Sequence, residues 1–176
     1  MPEVDPVLGP EMRSTGEVLG MDKTMGLAYY KSQEAAQSTL PTEGTVLLSV
    51  TERDRSGALD VAKGFAAMGF RIRATEGTCL YLKQNGIAAD QINKLQEGRP
   101  NIEDAIKNRE IALVINTPIG KLSKQDDSYI RKDAIRFKVP YITTIAAALA
   151  AVKGIEAARK GKGGVKSLQE YHAEIK

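Results

Sequence analysis

The segment Arg73-Ala-Thr75-Glu-Gly77-Thr78 gathers residue types that can hold an anion. It follows the alternating apolar run at 69–73 and opens the helix-like run at 79–84. A strand that ends in Thr-x-Gly-Thr and turns into a helix offers unpaired first-turn N–H groups, the positive end of the helix dipole and two hydroxyl donors. Gly77 lets the backbone come close to the bound group. The same residues also suit an ordinary strand-to-helix turn in which Thr75 or Thr78 only caps the helix. The rest of the chain has to decide between these readings.

Other groups of suitable chemistry recur after apolar runs: Ser49, Lys94, Asn116 and the stretch Tyr141 to Thr143, with Arg55 a turn into the first helix. Hydroxyls, an amide, one ammonium and one guanidinium suit a phosphate and a polar ring. Groups that transfer protons or attack carbonyls are scarce. The single histidine, His172, lies four residues from the end and reads as a surface or packing residue. Cys79 begins a helix beside the suspected anion site, where a thiolate could be favoured, but a small buried apolar contact is the plainer role. No metal-ligand spacing occurs; Asp126-Asp127 could share a cation or cap the helix expected near Tyr129. Lys94 and Arg99 could equally be solvated charges.

The elements that would position these groups follow one another along the chain. Residues 1–20 are rich in proline, glycine and polar side chains, and 22–37 read as a helix capped by Asp22. We read 1–43 as the end of a neighbouring unit plus a connecting helix, and 44–176 as one α/β domain. Apolar runs at 45–50, 70–74, 89–94, 111–115 and 139–143 read as strands. Helical patterns lie between them, with Asp54 as the expected cap of the first, Pro100 near the start of the helix at 102–107, and Thr144 opening an alanine-rich helix. Alternation of this kind predicts a five-stranded parallel sheet with helices on both faces. Such sheets bind ligands at the carboxyl ends of their strands, where strand order reverses. Ser49, Thr75, Thr78, Lys94, Asn116, Tyr141 and Thr143 all fall at those ends.

Composition narrows the classes. With 176 residues, 42% hydrophobic and 27% charged, the chain is a globular one with a real core. The net charge of +3 and the absence of tryptophan give neither a dense basic face nor stacking platforms, so nucleic acid is not an expected partner. No apolar run approaches the roughly 20 residues of a membrane span, and the first residues lack the pattern of a signal peptide. One cysteine excludes an internal disulfide. A cytoplasmic location is the expectation.

Leu8-Gly-Pro-Glu-Met-Arg-Ser-Thr-Gly-Glu-Val-Leu-Gly20 closely resembles the end of the second ATP-grasp half of the carbamoyl-phosphate synthase large chain. From Gly44 to about Gly154, and on to the ending Glu170-Tyr-His-Ala-Glu-Ile-Lys176, the sequence resembles that family's carboxy-terminal allosteric domain. The resemblance implies a Rossmann-like, methylglyoxal-synthase-like three-layer sandwich. It further implies a receptor for UMP and IMP, with Ser49, Arg55, Thr75, Thr78 and Lys94 on the phosphate side and Asn116 by the ribose or base. Tyr141 and Thr143 would form part of an ornithine site. The implied setting is an ATP- and glutamine-dependent ligase of pyrimidine and arginine biosynthesis, whose other partners are the synthetase half and a small glutaminase subunit. Residues for ATP and magnesium or manganese would lie upstream, so this stretch is expected to be non-catalytic, without a cofactor of its own. Two positions depart from the family: Arg55 stands where lysine is common, and Pro118 where a threonine is expected. Phosphate binding is therefore expected to survive better than the choice of base.

The rival expectation is a stand-alone lyase of the same fold, methylglyoxal synthase, acting on dihydroxyacetone phosphate. That enzyme depends on an aspartate in a Gly-Gly-Asp-Gln turn, where this chain has Glu97-Gly-Arg-Pro100, and on a second aspartate near Asn116-Thr117. Without a carboxylate base the enediol chemistry has nothing to start it.

Overall fold

The computed structural model describes residues 17–117, 124–161 and 163–174, with side chains of the helix at 124–136 described from Ser128 onward. Most of the Leu8–Gly20 motif, together with Pro118 and the side chains of Asp126 and Asp127, lies outside the described residues.

Five strands form one parallel sheet: β1 (Thr45–Ser49), β2 (Arg71–Ala74), β3 (Asp90–Gln91), β4 (Leu113–Asn116) and β5 (Tyr141–Ile142), in the order β3-β2-β1-β4-β5. The centre is β1, whose Val46, Leu47 and Leu48 are fully buried. A strand covered on both faces needs this unbroken apolar run. On one face pack α2 (Arg55–Ala67), α3 (Glu76–Gln84) and α6 (Ile145–Lys160), joined in one core by Phe65, Leu82, Ile155 and the alternate β1 residues Val46 and Leu48. On the other lie α4 (Ile102–Lys107) and α5 (Lys124–Arg136), where Leu47 and Val114 meet Ile102, Ile106 and Ile130. The three-layer sandwich expected from the alternation is thus the fold.

Outside α6 runs α1 (Met25–Ala35). Its Tyr30, and Leu40 just beyond it, join the main core at 2% and 1% exposure. Glycines make the crossing close: a Cβ on Gly26 would stand 2.8 Å from the Lys153 carbonyl oxygen, and one on Gly154 would stand 3.1 Å from the Gly26 oxygen. Behind α1, Arg159 donates from Nε to the Thr42 oxygen at 2.8 Å while its guanidinium lies 5.2 Å from the centre of the Phe70 ring. The short α7 (Leu168–Ala173), capped by Ser167, fastens the entry to α1, with Tyr171 Oη donating to the Met21 oxygen at 3.1 Å and Lys31 Nζ to the Gly164 oxygen at 2.7 Å.

Several local expectations are corrected. Thr24, not Asp22, caps α1; Asp22 instead pairs with Lys31 at 2.7 Å, which holds its carboxyl below the usual range. Asp54 precedes α2 but makes no side-chain cap bond. Pro100 does stand at the start of α4, directly before the N-cap Asn101, which forms a reciprocal capping box with Asp104. Helix α5 starts at Lys124, so Asp126 and Asp127 lie inside the helix rather than ahead of it.

Candidate functional site

The strand order reverses between β1 and β4, the place where a parallel sheet opens a crevice at its carboxyl ends. Ser49 is in register with Asn116; the Thr75 N–H donates to the Leu48 oxygen at 3.2 Å and the Thr117 N–H to the Ser49 oxygen at 3.1 Å. Backbone pairing therefore sets Ser49, Thr75, Asn116 and Thr117 in one row. Thr78 joins them from α3, with its Oγ1 at 3.5 Å from Val50 N and 3.4 Å from Val50 O. Ser49, Thr75, Thr78, Asn116 and Thr117 are all buried, and among the described residues the one other buried polar side chain is Asn101, which caps α4. Polar burial is costly unless it is satisfied, so its concentration here marks the crevice off from the rest of the fold.

Most of this row is spoken for. Thr117 Oγ1 accepts from Thr51 N–H at 3.1 Å, Thr51 Oγ1 donates to Asp54 Oδ2 at 2.9 Å, and Asn116 Nδ2 donates to Tyr141 Oη at 2.8 Å. The Thr117 hydroxyl first and then that of Thr51 hold the Asp54 carboxyl below the ordinary carboxylate range. The hydroxyls of Ser49 and Thr75, by contrast, have no partner among the described residues. Thr75 stands at the N-cap of α3 yet makes no side-chain cap bond, and Thr78 turns to Val50. The reading in which these threonines only cap the helix does not hold, and the first-turn N–H groups of α3 have no side-chain cap.

Two further cations belong to this end of the sheet by their place in the chain, Arg55 after β1 and Lys94 after β3. Arg55 opens α2 with a partly exposed side chain; among the described residues its Nε is buried without a partner, and its one ion-pair partner, the exposed Glu52, is 3.8 Å away. Lys94 follows β3, half-buried, its N–H bonded to Glu97 Oε2 at 2.8 Å, and its ammonium is in none of the ion pairs among the described residues. Tyr141 and Thr143 line a neighbouring cavity of about 550 Å³ with Arg131, Lys138, Gln37 and Ser38. Two cations there suit a carboxylate better than an ammonium.

The other candidates lie apart. His172 is exposed on α7, Cys79 is buried with its thiol directed at the Ala89 oxygen at 3.4 Å, and the exposed Arg99 pairs with Asp104 at 3.2 Å. Among the described residues no cluster of three His, Cys, Asp or Glu could hold a metal, and no helix is long and apolar enough to cross a membrane. Sequence reasoning missed Thr117 and the Thr51–Asp54 pair; only the position of Thr117 directly after Asn116 hinted at the first.

Residues 57–143 match the MGS-like domain. The same architecture occurs in methylglyoxal synthase from Elizabethkingia anophelis, with a TM-score of 0.53 at 16% identity over 64% of this chain and 79% of that one, a likeness of fold alone. The chain thus carries an MGS-like domain on a five-stranded parallel sheet. Along nearly its whole length it is related to the carbamoyl phosphate synthase large chain. It is 53% identical over 175 residues to the large chain of Archaeoglobus fulgidus, covering 99% of this chain and 16% of that one. To the C-terminal section of the large chain of Aquifex aeolicus it is 51% identical over 176 residues, covering 97% of this chain and 33% of that protein. It therefore spans a third or less of the length of these two relatives.

Proposed function

We propose that this chain is the effector-receiving part of a carbamoyl phosphate synthase large chain. A nucleotide monophosphate, UMP or IMP, places its phosphate among Ser49, Thr75, Thr78, Arg55 and Lys94 and its sugar or base by Asn116. The observation that carries the reading is the pair of hydroxyls, Ser49 and Thr75, that have no partner among the described residues in an otherwise satisfied buried row, with the Arg55 guanidinium against the first turn of α3. A phosphate monoester supplies acceptors to all of these donors at once. Asp54, ionised and engaged by Thr51 and Thr117, is a weak base, so binding rather than turnover is the favoured role.

The regulated reaction is ATP- and glutamine-dependent carbamoyl phosphate synthesis, carried out by the synthetase half with magnesium or manganese and with a small glutaminase subunit. Effector binding stabilises one arrangement of the sandwich against that half, and α1, packed glycine to glycine on α6, transmits the difference. Couplings of this kind are typically about 1–3 kcal/mol. Ornithine binds on the other side of the Asn116–Tyr141 hydrogen bond, its carboxylate toward Arg131 and Lys138.

Calorimetry of UMP and IMP, with inorganic phosphate as competitor and a Lys94→Ala variant alongside, tests the proposal. Binding that phosphate weakens and the variant loses is the expected result. Failure of both nucleotides to bind, or turnover of dihydroxyacetone phosphate by the chain, would overturn it.

A further inference from the structure

Arg55 is held by no strong polar contact among the described residues. Its guanidinium makes no short hydrogen bond among the described residues, its Nε is shut away from water, and the exposed Glu52 at 3.8 Å is too far and too solvated to fix it. What it does meet is Gly77. A Cβ built on Gly77 would stand 2.5 Å from Arg55 Nη2, 3.3 Å from Cζ and 3.9 Å from Nε. The guanidinium occupies the space that a side chain at 77 would fill.

We infer that Gly77 is the positioning residue for Arg55, and that the space it leaves holds the guanidinium where it can meet the phosphate. The inference rests on the nucleotide reading above for its ligand, but its geometry is independent of that reading. Gly77 is not among the glycines with positive φ, so its backbone is one that alanine adopts without strain. The missing side chain therefore serves space rather than conformation. Because α3 begins at Glu76, Gly77 lies in the first turn, whose N–H groups have no side-chain cap. A guanidinium seated there lies beside those donors, and its remaining N–H groups can meet phosphate oxygens in pairs. Alanine at 77 would push the flexible end of Arg55 away and leave the fold intact.

The test combines Gly77→Ala, Arg55→Lys and the double variant. Calorimetry with UMP and uridine is expected to show Gly77→Ala weakening UMP roughly tenfold, the size of one charged hydrogen bond, and leaving uridine unchanged. Arg55→Lys should weaken UMP to a similar degree, and the double variant should bind no worse than Arg55→Lys alone. The thermal midpoint of Gly77→Ala should be equal to or above that of the wild type, since alanine is the better helix residue. Unchanged UMP affinity in Gly77→Ala, or losses that simply add in the double variant, would overturn the inference. A second readout does not depend on nucleotide: phenylglyoxal should modify Arg55 more slowly than the exposed Arg53 in the wild type, and the gap should close in Gly77→Ala. If wild type binds no nucleotide but the gap closes, the functional reading fails and the positioning role stands; equal protection in both proteins would refute the positioning role.

Discussion

Replacing Gly26 by alanine tests how α1 is held. The new Cβ would lie 2.8 Å from the Lys153 carbonyl oxygen, 3.0 Å from its carbonyl carbon and 3.4 Å from the Gly154 nitrogen. All three are backbone atoms inside α6, so no side chain can rotate away and α1 has to lift. Overpacking a tight contact costs about 1–3 kcal/mol, while exchanging glycine for alanine in a helix returns up to about 1 kcal/mol. The net is a loss of up to about 2 kcal/mol, equivalent to a fall of up to about 8 °C in Tm for a chain of this size. Gly154→Ala, whose closest approach is 3.1 Å, is expected to fall near zero because the two effects nearly cancel. Circular dichroism during heating and in urea would measure both variants. A Gly26→Ala protein that melts at or above the wild type would show that helix propensity outweighs the contact, and would refute the idea that α1 is seated by the absence of side chains. If α1 also carries the effector signal, the same variant should retain nucleotide affinity while losing part of the coupling to the synthetase half.

Two further perturbations separate binding from folding and set a pH window. Thr78→Val removes an oxygen whose contacts with Val50 are 3.5 and 3.4 Å long, at the weak end of hydrogen bonding, so stability should fall by about 1 kcal/mol or less while UMP affinity drops roughly tenfold; a large stability loss with unchanged affinity would make the residue purely structural. Asp54 has a folded pKa below its unfolded value, so its contribution to stability is present above about pH 4 and is lost as pH falls through the lower folded value. The stability difference between wild type and Asp54→Asn should therefore be constant from pH 5 to pH 7 and shrink in acid, as urea titrations at several pH values would show; a difference that grew in acid would reverse the sign of the argument.

The strand ends were more legible than the strands themselves. Apolar runs mark burial, and burial continues past the hydrogen-bonded ladder: the run at 89–94 becomes the two residues of β3, and 139–143 becomes the two of β5. Both are edge strands, paired on one side only. Helix α3 begins at Glu76, not near Cys79, because its first turn is polar where it faces the crevice, and a periodicity argument registers only the apolar part. Ser49, Thr75, Thr78 and Asn116 could be placed in one row because a parallel sheet puts its carboxyl ends together whatever the loop lengths. Thr117, the Asp54 pairing and the seat of Arg55 on Gly77 could not, since each depends on how two loops or helix starts meet across the row. Asp22 failed as a cap for a similar reason: Lys31, two turns into α1, offers it a charged partner that a local motif cannot show.

The shortness of β3 and β5 bears on how the chain behaves at high concentration. A sheet grows by adding strands to an exposed ladder, and uncontrolled growth of that kind underlies fibre formation and domain exchange. Here each border offers two residues, and β3 adds the exposed charge of Asp90 to its border. A strand of another molecule would find too few amide groups to align on. The borders thus guard the sheet against self-addition.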